Sequence, residues 1–463
     1  MHFHQFYLRC LAHASYLIGD AGECVIVDPQ RDVDGYLAAA EERGLRITHV
    51  IETHLHADFV SGHLELAKRT GATLHISHAA DAAFAHGPLH EGDEIRVGTV
   101  RLRVLETPGH TPESLCLLVS DDAAPDAPAK LLTGDTLFIG DVGRPDLAGG
   151  RGFTAEQMAG LMYDSLRDKI LTLPDETEVF PAHGAGSACG RNISAALSCT
   201  IGRQRETNHA LQPMSREDFV QRMTTGLAPP PPYFPHSVAL NRAGAVPLDE
   251  LPQACPLYPD EVAPLLEQGA LLLDLRHADA HAQGHPPGAL NIGLNGSFAP
   301  WAGSLIPTDT RLILLGDDDA QCKEAVMRLA RVGLQHVDGM LAGGVDAWVA
   351  AGRPLATRER VSVQELHARL QRDDAPRVLD VRNPGEHENG HVPGAINIPL
   401  GQLAERSGEL DPGAHYAVIC QGGYRSSSAC CLLERAGLHA LTDIREGTGG
   451  WVEAELPVET PVA

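Results

Sequence analysis

Positive charge is scarce in this sequence. Lysine and arginine number 36 against 61 aspartates and glutamates, a formal charge of −25 that repels phosphate backbones and anionic lipid surfaces alike. Neither a nucleic-acid nor a membrane partner is therefore expected. Long apolar runs are missing too: no stretch approaches the ~18 residues that cross a bilayer, and the start, MHFHQFYLRC, lacks the basic-then-apolar plan of a secretion signal. A soluble cytoplasmic protein is the expectation. Cysteine is sparse, ten in 463 residues with no CxxC spacing, which argues against a disulfide framework and a cysteine zinc site and fits a reducing compartment. Histidine is plentiful by contrast. Several of the 24 sit in polar turns just after apolar runs.

From YLIGDAGECVIVDP to EVFPAHGAG the chain alternates short β-branched runs with helix-like segments, and THVIETH, VRLRVLETPGH and KLLTGDTL each end in a histidine or aspartate near a turn. A layered α/β fold gathers ligands at strand ends in this way. The segment THLHADFVSGH, Thr53 to His63, holds His54 and His56 in such a turn, with Asp58 able to cap a helix. ETPGHTPES does the same for His110, LLTGDTLF for Asp135 and VFPAHGAG for His183. An isolated HxH is more often a polar turn than a metal site, but four strand-end turns bearing ligand-type residues in this order point to a bound cation. One position departs from the pattern. Where a two-metal hydrolase with HxHxDH has its last histidine, this chain has Phe59, so one metal site is expected to survive and its neighbour to be damaged.

The ordered motifs HLHAD, PGH, GD and PAH make residues 1 to about 225 resemble a metallo-β-lactamase fold, and within that superfamily VGRPD and KILTLPDETEVFPAHG are similar to the persulfide dioxygenases. That resemblance implies one Fe(II) per chain, held by His54, His110 and Asp135. Two imidazoles and a carboxylate on one face of Fe(II), with the other face open, form the arrangement by which non-haem oxygenases bind substrate and O2 together. Hydrolytic relatives use two metals and a bridging hydroxide. His56, Asp58 and His183 are then candidates for orienting ligands or substrate. The resemblance further assigns Arg144 to the persulfide pocket, with a surface ion pair to Asp146 as the plain alternative. Cys189 reads as an inert core thiol.

The four consecutive prolines of GLAPPPPYFPHS, Gly226 to Ser237, read as a semi-rigid spacer closing a first domain at about residue 235. Beyond it the sequence repeats. LLLDLRHADAHAQGHPPGALNIGL matches RVLDVRNPGEHENGHVPGAINIPL at an offset of 106 residues, with Asp274 over Asp380, His285 over His391 and Asn291 over Asn397. So long a period means duplicated domains, at 255–355 and 360–460; solenoid repeats are shorter.

In AVICQGGYRSSSACCLLERAG a buried strand precedes Cys420, a glycine-containing loop and a helix. Amide N–H groups and the helix dipole at such a position favour a thiolate or a persulfide anion. The CxxxxR loop and LDVRNPGEHENGHVPGAINIP resemble the rhodanese family, which implies Cys420 as the sulfur-carrying nucleophile, Arg425 as its catalytic partner and Gln421, Gly422, Gly423 and Tyr424 as the cradle. The first repeat has Gly316 opposite Cys420, and Asp317, Asp318 and Asp319 would repel an anionic sulfur. It reads as an inactive rhodanese-like domain with Cys322 structural.

The expected fold is therefore α/β: a metallo-β-lactamase αββα sandwich followed by two rhodanese-like α/β domains. The expected activity is oxidation of a small-thiol persulfide, of glutathione or coenzyme A type, by O2 to sulfite and thiol, coupled to sulfur transfer that makes or uses thiosulfate. A two-metal thioester hydrolase resembling hydroxyacylglutathione hydrolase and a non-catalytic sulfur carrier or sensor are the rivals. The carrier thiol, the direction of sulfur transfer and the oligomer stay open, a homo-oligomer included.

Overall fold

Strand residues of the first domain alternate between two buried faces. Along His13–Asp20 and Glu23–Val27, Tyr16, Ile18, Val25 and Val27 point into one apolar core while Leu17, Cys24 and Ile26 point into another. A side-chain period of two with both sides buried requires a layer on each side of the sheet. The computed structural model, which describes residues 1–460, supplies those layers. Two six-stranded sheets, the first from His2–Leu8 to Gly87–Leu89 and the second from Glu94–Val97 to Cys199–Thr200, face each other across the core of Tyr16, Val25, Val100, Leu102 and Leu117. Helices Asp34–Glu42 and His63–Thr70 cover the outside of the first sheet, and Ala155–Asp168 with Arg216–Thr224 the second. The result is an αββα sandwich.

The polyproline stretch does not close this domain. Helix Phe234–Ala243 starts directly after it, with Pro235 in the first turn, where a missing N–H costs nothing. The compact unit continues to Leu251. From this helix Asn241 donates to the carbonyls of His56 and Phe59 and accepts from the Ser61 N–H, all at 2.8 Å. The expected boundary near 235 thus gives way to a longer first unit whose last helix pins the histidine loop.

The second unit holds both repeats. Each has a five-stranded parallel sheet of the same order: Cys255–Leu257, Val337–Leu341, Leu312–Leu315, Leu271–Asp274 and Leu290–Asn291 in one, Glu359–Val361, Leu441–Ile444, Tyr416–Ile419, Arg377–Asp380 and Ile396–Asn397 in the other. Central strands such as LILL and YAVI are buried throughout, as parallel sheets require. The repeated polar residues frame each sheet end identically. Arg276 pairs with Asp274 as Arg382 does with Asp380, both at 2.6 Å, and the amides of Asn291 and Asn397 each bridge two carbonyls beside that aspartate. No helix among the described residues is long and apolar enough to cross a membrane.

Candidate metal centre and sulfur-transfer loop

Four strands of the sandwich end together. His54 follows Arg46–Ile51, His110 follows Val100–Glu106, Asp135 follows Lys130–Gly134 and His183 follows Glu178–Pro181. Backbone bonds knit these ends: Leu115 N–H donates to the Thr53 carbonyl at 2.9 Å and Ala182 N–H to that of Gly134 at 3.0 Å. Gly143 packs so tightly over the cluster that a Cβ there would lie 2.1 Å from the Asp135 carbonyl oxygen.

Each ligand has one side fixed and the other bare. His54 Nδ1 lies 3.0 Å from Thr53 Oγ1, which itself donates to Asp28 at 2.8 Å, so the imidazole proton sits on Nδ1. His110 Nδ1 donates to the Arg144 carbonyl at 2.9 Å, with the same effect. Asp135 Oδ1 accepts from His183 at 2.7 Å. What is left over converges: His54 Nε2 and His110 Nε2 lie 3.8 and 3.5 Å from Asp135 Oδ2, and all three atoms are buried without a hydrogen-bond partner among the described residues. Burial lowers both histidines, His54 well below the imidazole range, which makes them neutral donors. Buried polar atoms are rarely left unpaired. Two neutral imidazoles and a carboxylate aimed at one point fit a divalent transition metal.

The neighbouring position is filled differently. His183 bridges two carboxylates, with Nε2 2.8 Å from Asp58 and Nδ1 2.7 Å from Asp135. Burial alone would discharge its ring, but Asp135 and Asp58 outweigh burial and raise it to about 10. Phe59 packs its ring 4.2 Å from His13 and 4.4 Å from His56. His56 is turned away from the three ligands, its Nε2 3.2 Å from Asp28 and 3.3 Å from Glu52. Burial opposes its charge, yet the two carboxylates hold it well above the imidazole range.

Of the remaining expected residues, Arg144 has little guanidinium left for substrate. It forms a fork with Asp146 at 2.7 and 2.8 Å and donates to the Ala188 and Ala228 carbonyls, at 3.3 and 2.6 Å. Its clear contribution is the carbonyl that orients His110. Cys189 is buried beside Asp58 and His183, and burial with the nearby carboxylates pushes its thiol well up, as suits an un-ionised sulfur. Sequence reasoning missed Asp28, Thr53 and Glu52. Asp28 ends the run CVIVDP and so carried the same strand-end signal as the ligands.

In the second unit Cys420 ends strand Tyr416–Ile419 and its Sγ lies 3.6 Å from Ser426 Oγ. The N–H groups of Gln421, Gly422, Gly423 and Tyr424 donate to no carbonyl among the described residues, which leaves them for an anion on the sulfur. Arg425 is locked in a fork with Glu386 at 2.6 and 2.7 Å, and Arg382, which the sequence reading did not single out, donates to Gln421 Oε1 at 3.3 Å. In repeat one Asp318 caps the corresponding helix by accepting from Gln321 N–H at 2.8 Å, and Cys322 is a buried thiol pushed up to about 11 by burial.

A sandwich of this kind with His54, His110 and Asp135 converging at its strand ends defines a metal-binding enzyme domain, here followed by two sulfurtransferase-type domains. The metallo-beta-lactamase superfamily model matches residues 8–183, and the rhodanese-like domain model matches 258–351 and 362–454. Mitochondrial persulfide dioxygenase ETHE1 of Bos taurus is 30% identical over 49% of this chain and 82% of its own. Hydroxyacylglutathione hydrolase of Rhodospirillum rubrum is 38% identical over 35% of this chain, and the match spans 57% of that protein. A crystal structure of a metallo-beta-lactamase from Staphylococcus aureus subsp. aureus COL is 32% identical, with a TM-score of 0.66 over 74% of this chain and 98% of that one. The chain belongs to the metallo-β-lactamase superfamily and joins a domain homologous to persulfide dioxygenases to two rhodanese-like domains, the architecture of a persulfide dioxygenase–rhodanese fusion.

Proposed function

We propose that the first unit is an iron-dependent persulfide dioxygenase and that Cys420 moves sulfane sulfur, most directly onto the sulfite made by the first unit. In balance, a thiol persulfide, O2 and water give thiol, sulfite and two protons, so sulfur is oxidised and O2 is reduced. Fe(II) held by His54, His110 and Asp135 would supply a redox-active centre with open positions for persulfide and O2. Thr53 and the Arg144 carbonyl keep the two imidazole protons on Nδ1, so Nε2 stays a lone-pair donor. His183 and Asp58 hold a fixed charge network beside Asp135, and Phe59 keeps that side apolar. Cys420 takes the outer sulfur of a second persulfide, the carrier thiolate leaves, and the Cys420 persulfide then passes that sulfur to sulfite, giving thiosulfate and freeing the thiolate.

One observation carries the reading: among the described residues three buried, unpartnered ligand atoms stand at one point, while the apolar ring of Phe59 packs on His13 and His56 where the two-metal pattern has a histidine. The 38% identity to a hydroxyacylglutathione hydrolase favours thioester hydrolysis as the second reading, and that chemistry needs the two metals Phe59 disfavours. Metal analysis with O2-electrode assays on glutathione persulfide and coenzyme A persulfide separates them. About one iron per chain and persulfide-dependent O2 uptake are expected, and His110→Ala should abolish both. Two tightly bound zinc ions with thioesterase activity would overturn the proposal.

A further inference from the structure

The Cys420 loop is held by polar tethers. On its outer side it borders a cavity of about 120 Å³ between the two repeats, so apolar packing does not fix it there. Repeat two supplies two tethers at one end, where the Cys420 and Gln421 carbonyls accept from Thr448 and Gly449 N–H at 2.7 and 2.9 Å. The other end is tied through repeat one. Tyr424 donates its hydroxyl to the Gly293 carbonyl at 2.8 Å. Arg360 donates to the Gly423 carbonyl at 3.0 Å while its other nitrogens reach Asp443 at 2.7 Å and Asp279, in repeat one, at 2.5 Å.

The Arg360 side chain is only 5% exposed, and oxygen acceptors on two sides of its guanidinium, Asp443 and Asp279, hold it where it is. Without Asp279, Asp443 would be the one carboxylate left on Arg360, and nothing on the repeat-one side would hold the guanidinium toward the loop carbonyl. That carbonyl belongs to the tightest point of the cradle. Gly423 has φ +74°, and a Cβ there would sit 1.7 Å from the Arg445 carbonyl oxygen, so a small shift changes where the loop N–H groups aim.

We propose that the nucleophile-free repeat completes the sulfur-transfer site, with Asp279 as a positioning residue that acts through Arg360 and the Gly293 carbonyl as the anchor for Tyr424. The inference rests on Cys420 being the sulfur carrier. It gives repeat one a task despite Gly316: it aligns the N–H groups that receive the transferred sulfur, and so acts on the rate of transfer more than on acceptor binding.

The test is steady-state sulfur transfer from thiosulfate to cyanide by the full chain carrying Asp279→Ala, Asp279→Asn or Tyr424→Phe. Asp279 is about half exposed, 48% in its side chain, so its loss leaves the core intact. Asp279→Ala should lower kcat roughly fivefold with the KM for cyanide changed less than about twofold. Asp279→Asn should recover most of the loss, because an amide oxygen still accepts from Arg360, and Tyr424→Phe should lower kcat by a similar factor. Persulfide-dependent O2 uptake should be unaltered in all three. Wild-type kcat in both Asp279→Ala and Tyr424→Phe, or a loss that Asp279→Asn does not recover, overturns the inference. Transfer that persists in Cys420→Ser would instead overturn the reading beneath it.

Discussion

Cys431 is the residue whose environment is most unlike its sequence. In the string SACCLLERAG it reads as a helix core position, yet its Sγ lies 3.4 Å from His281 Nε2, 3.5 Å from Arg358 Nη1 and 3.4 Å from the Asn291 N–H. Asp274 holds His281 from behind at 2.8 Å, and Glu434 takes the other edge of Arg358. Burial would raise the thiol, but His281 and Arg358 outweigh it and bring Cys431 down to about 7. Burial likewise acts against His281, and Cys431 with Asp274 raises it to about 9. A depressed thiol adds stability that is full above its unfolded value and is lost as pH falls through about 7. Cys431→Ser should therefore cost about 2 kcal/mol at pH 8.5, where a buried cation pair loses its anion, and well under half that at pH 6. All three tryptophans, Trp301, Trp348 and Trp451, belong to the tandem unit, so urea unfolding followed by tryptophan fluorescence reads this in the full chain. An equal loss at both pH values would show that Cys431 is a neutral packing residue. The pair was not legible in the sequence, because its members are 150 residues apart and come from different repeats. His54, His110 and Asp135 were legible because each ends its own strand, and a strand end is a local signal.

At the scale of elements, the strand-to-helix turn after Tyr416–Ile419 shows what glycine is for in this cradle. A side chain at Gly423 would meet backbone on the Arg445 side and would strain a φ of +74°, neither of which the loop can relieve without moving. Gly423→Ala should therefore cut sulfur transfer by about tenfold or more, through misaimed N–H groups, and leave O2 uptake and metal content unchanged. Wild-type transfer in this variant would mean that the loop amides do not hold the transferred sulfur. Element identity was readable where an apolar run stopped at a polar turn, as in the strand before Cys420. It failed at GLAPPPPYFPHS, because proline chemistry marks a break in regular structure, while the decision to resume a helix and fold back lies in the tertiary contacts of Asn241. The repeat alignment succeeded for a physical reason: Asp274, Arg276 and Asn291 make the same bonds as Asp380, Arg382 and Asn397, so the sheet end needs the same residues whether or not a nucleophile stands beside it.

Across the whole molecule the two proposed chemistries fall in separate compact units, one of Met1–Leu251 with Ala330–Gly333 and one holding the rest of both repeats. In the proposed scheme Cys420 and its cradle serve sulfur transfer, whereas O2 chemistry depends on the ligands in the sandwich. Cys420→Ser should therefore keep persulfide-dependent O2 uptake within about twofold of wild type. A hydroxyl is a far poorer sulfur acceptor than a thiolate at neutral pH, so transfer should fall to background. In that scheme the product of the first reaction is the acceptor of the second, so the variant should accumulate sulfite where wild type yields thiosulfate. The measurement is the sulfite to thiosulfate ratio after both proteins consume the same O2, corrected for the direct reaction of sulfite with persulfide in a protein-free control. An unchanged ratio would mean that the rhodanese-like unit does not consume the sulfite made by its neighbour, and the coupling would have to be abandoned while each separate activity stood. A ratio that shifts only when Cys420 is intact ties both units to one sulfur atom's path from persulfide to thiosulfate.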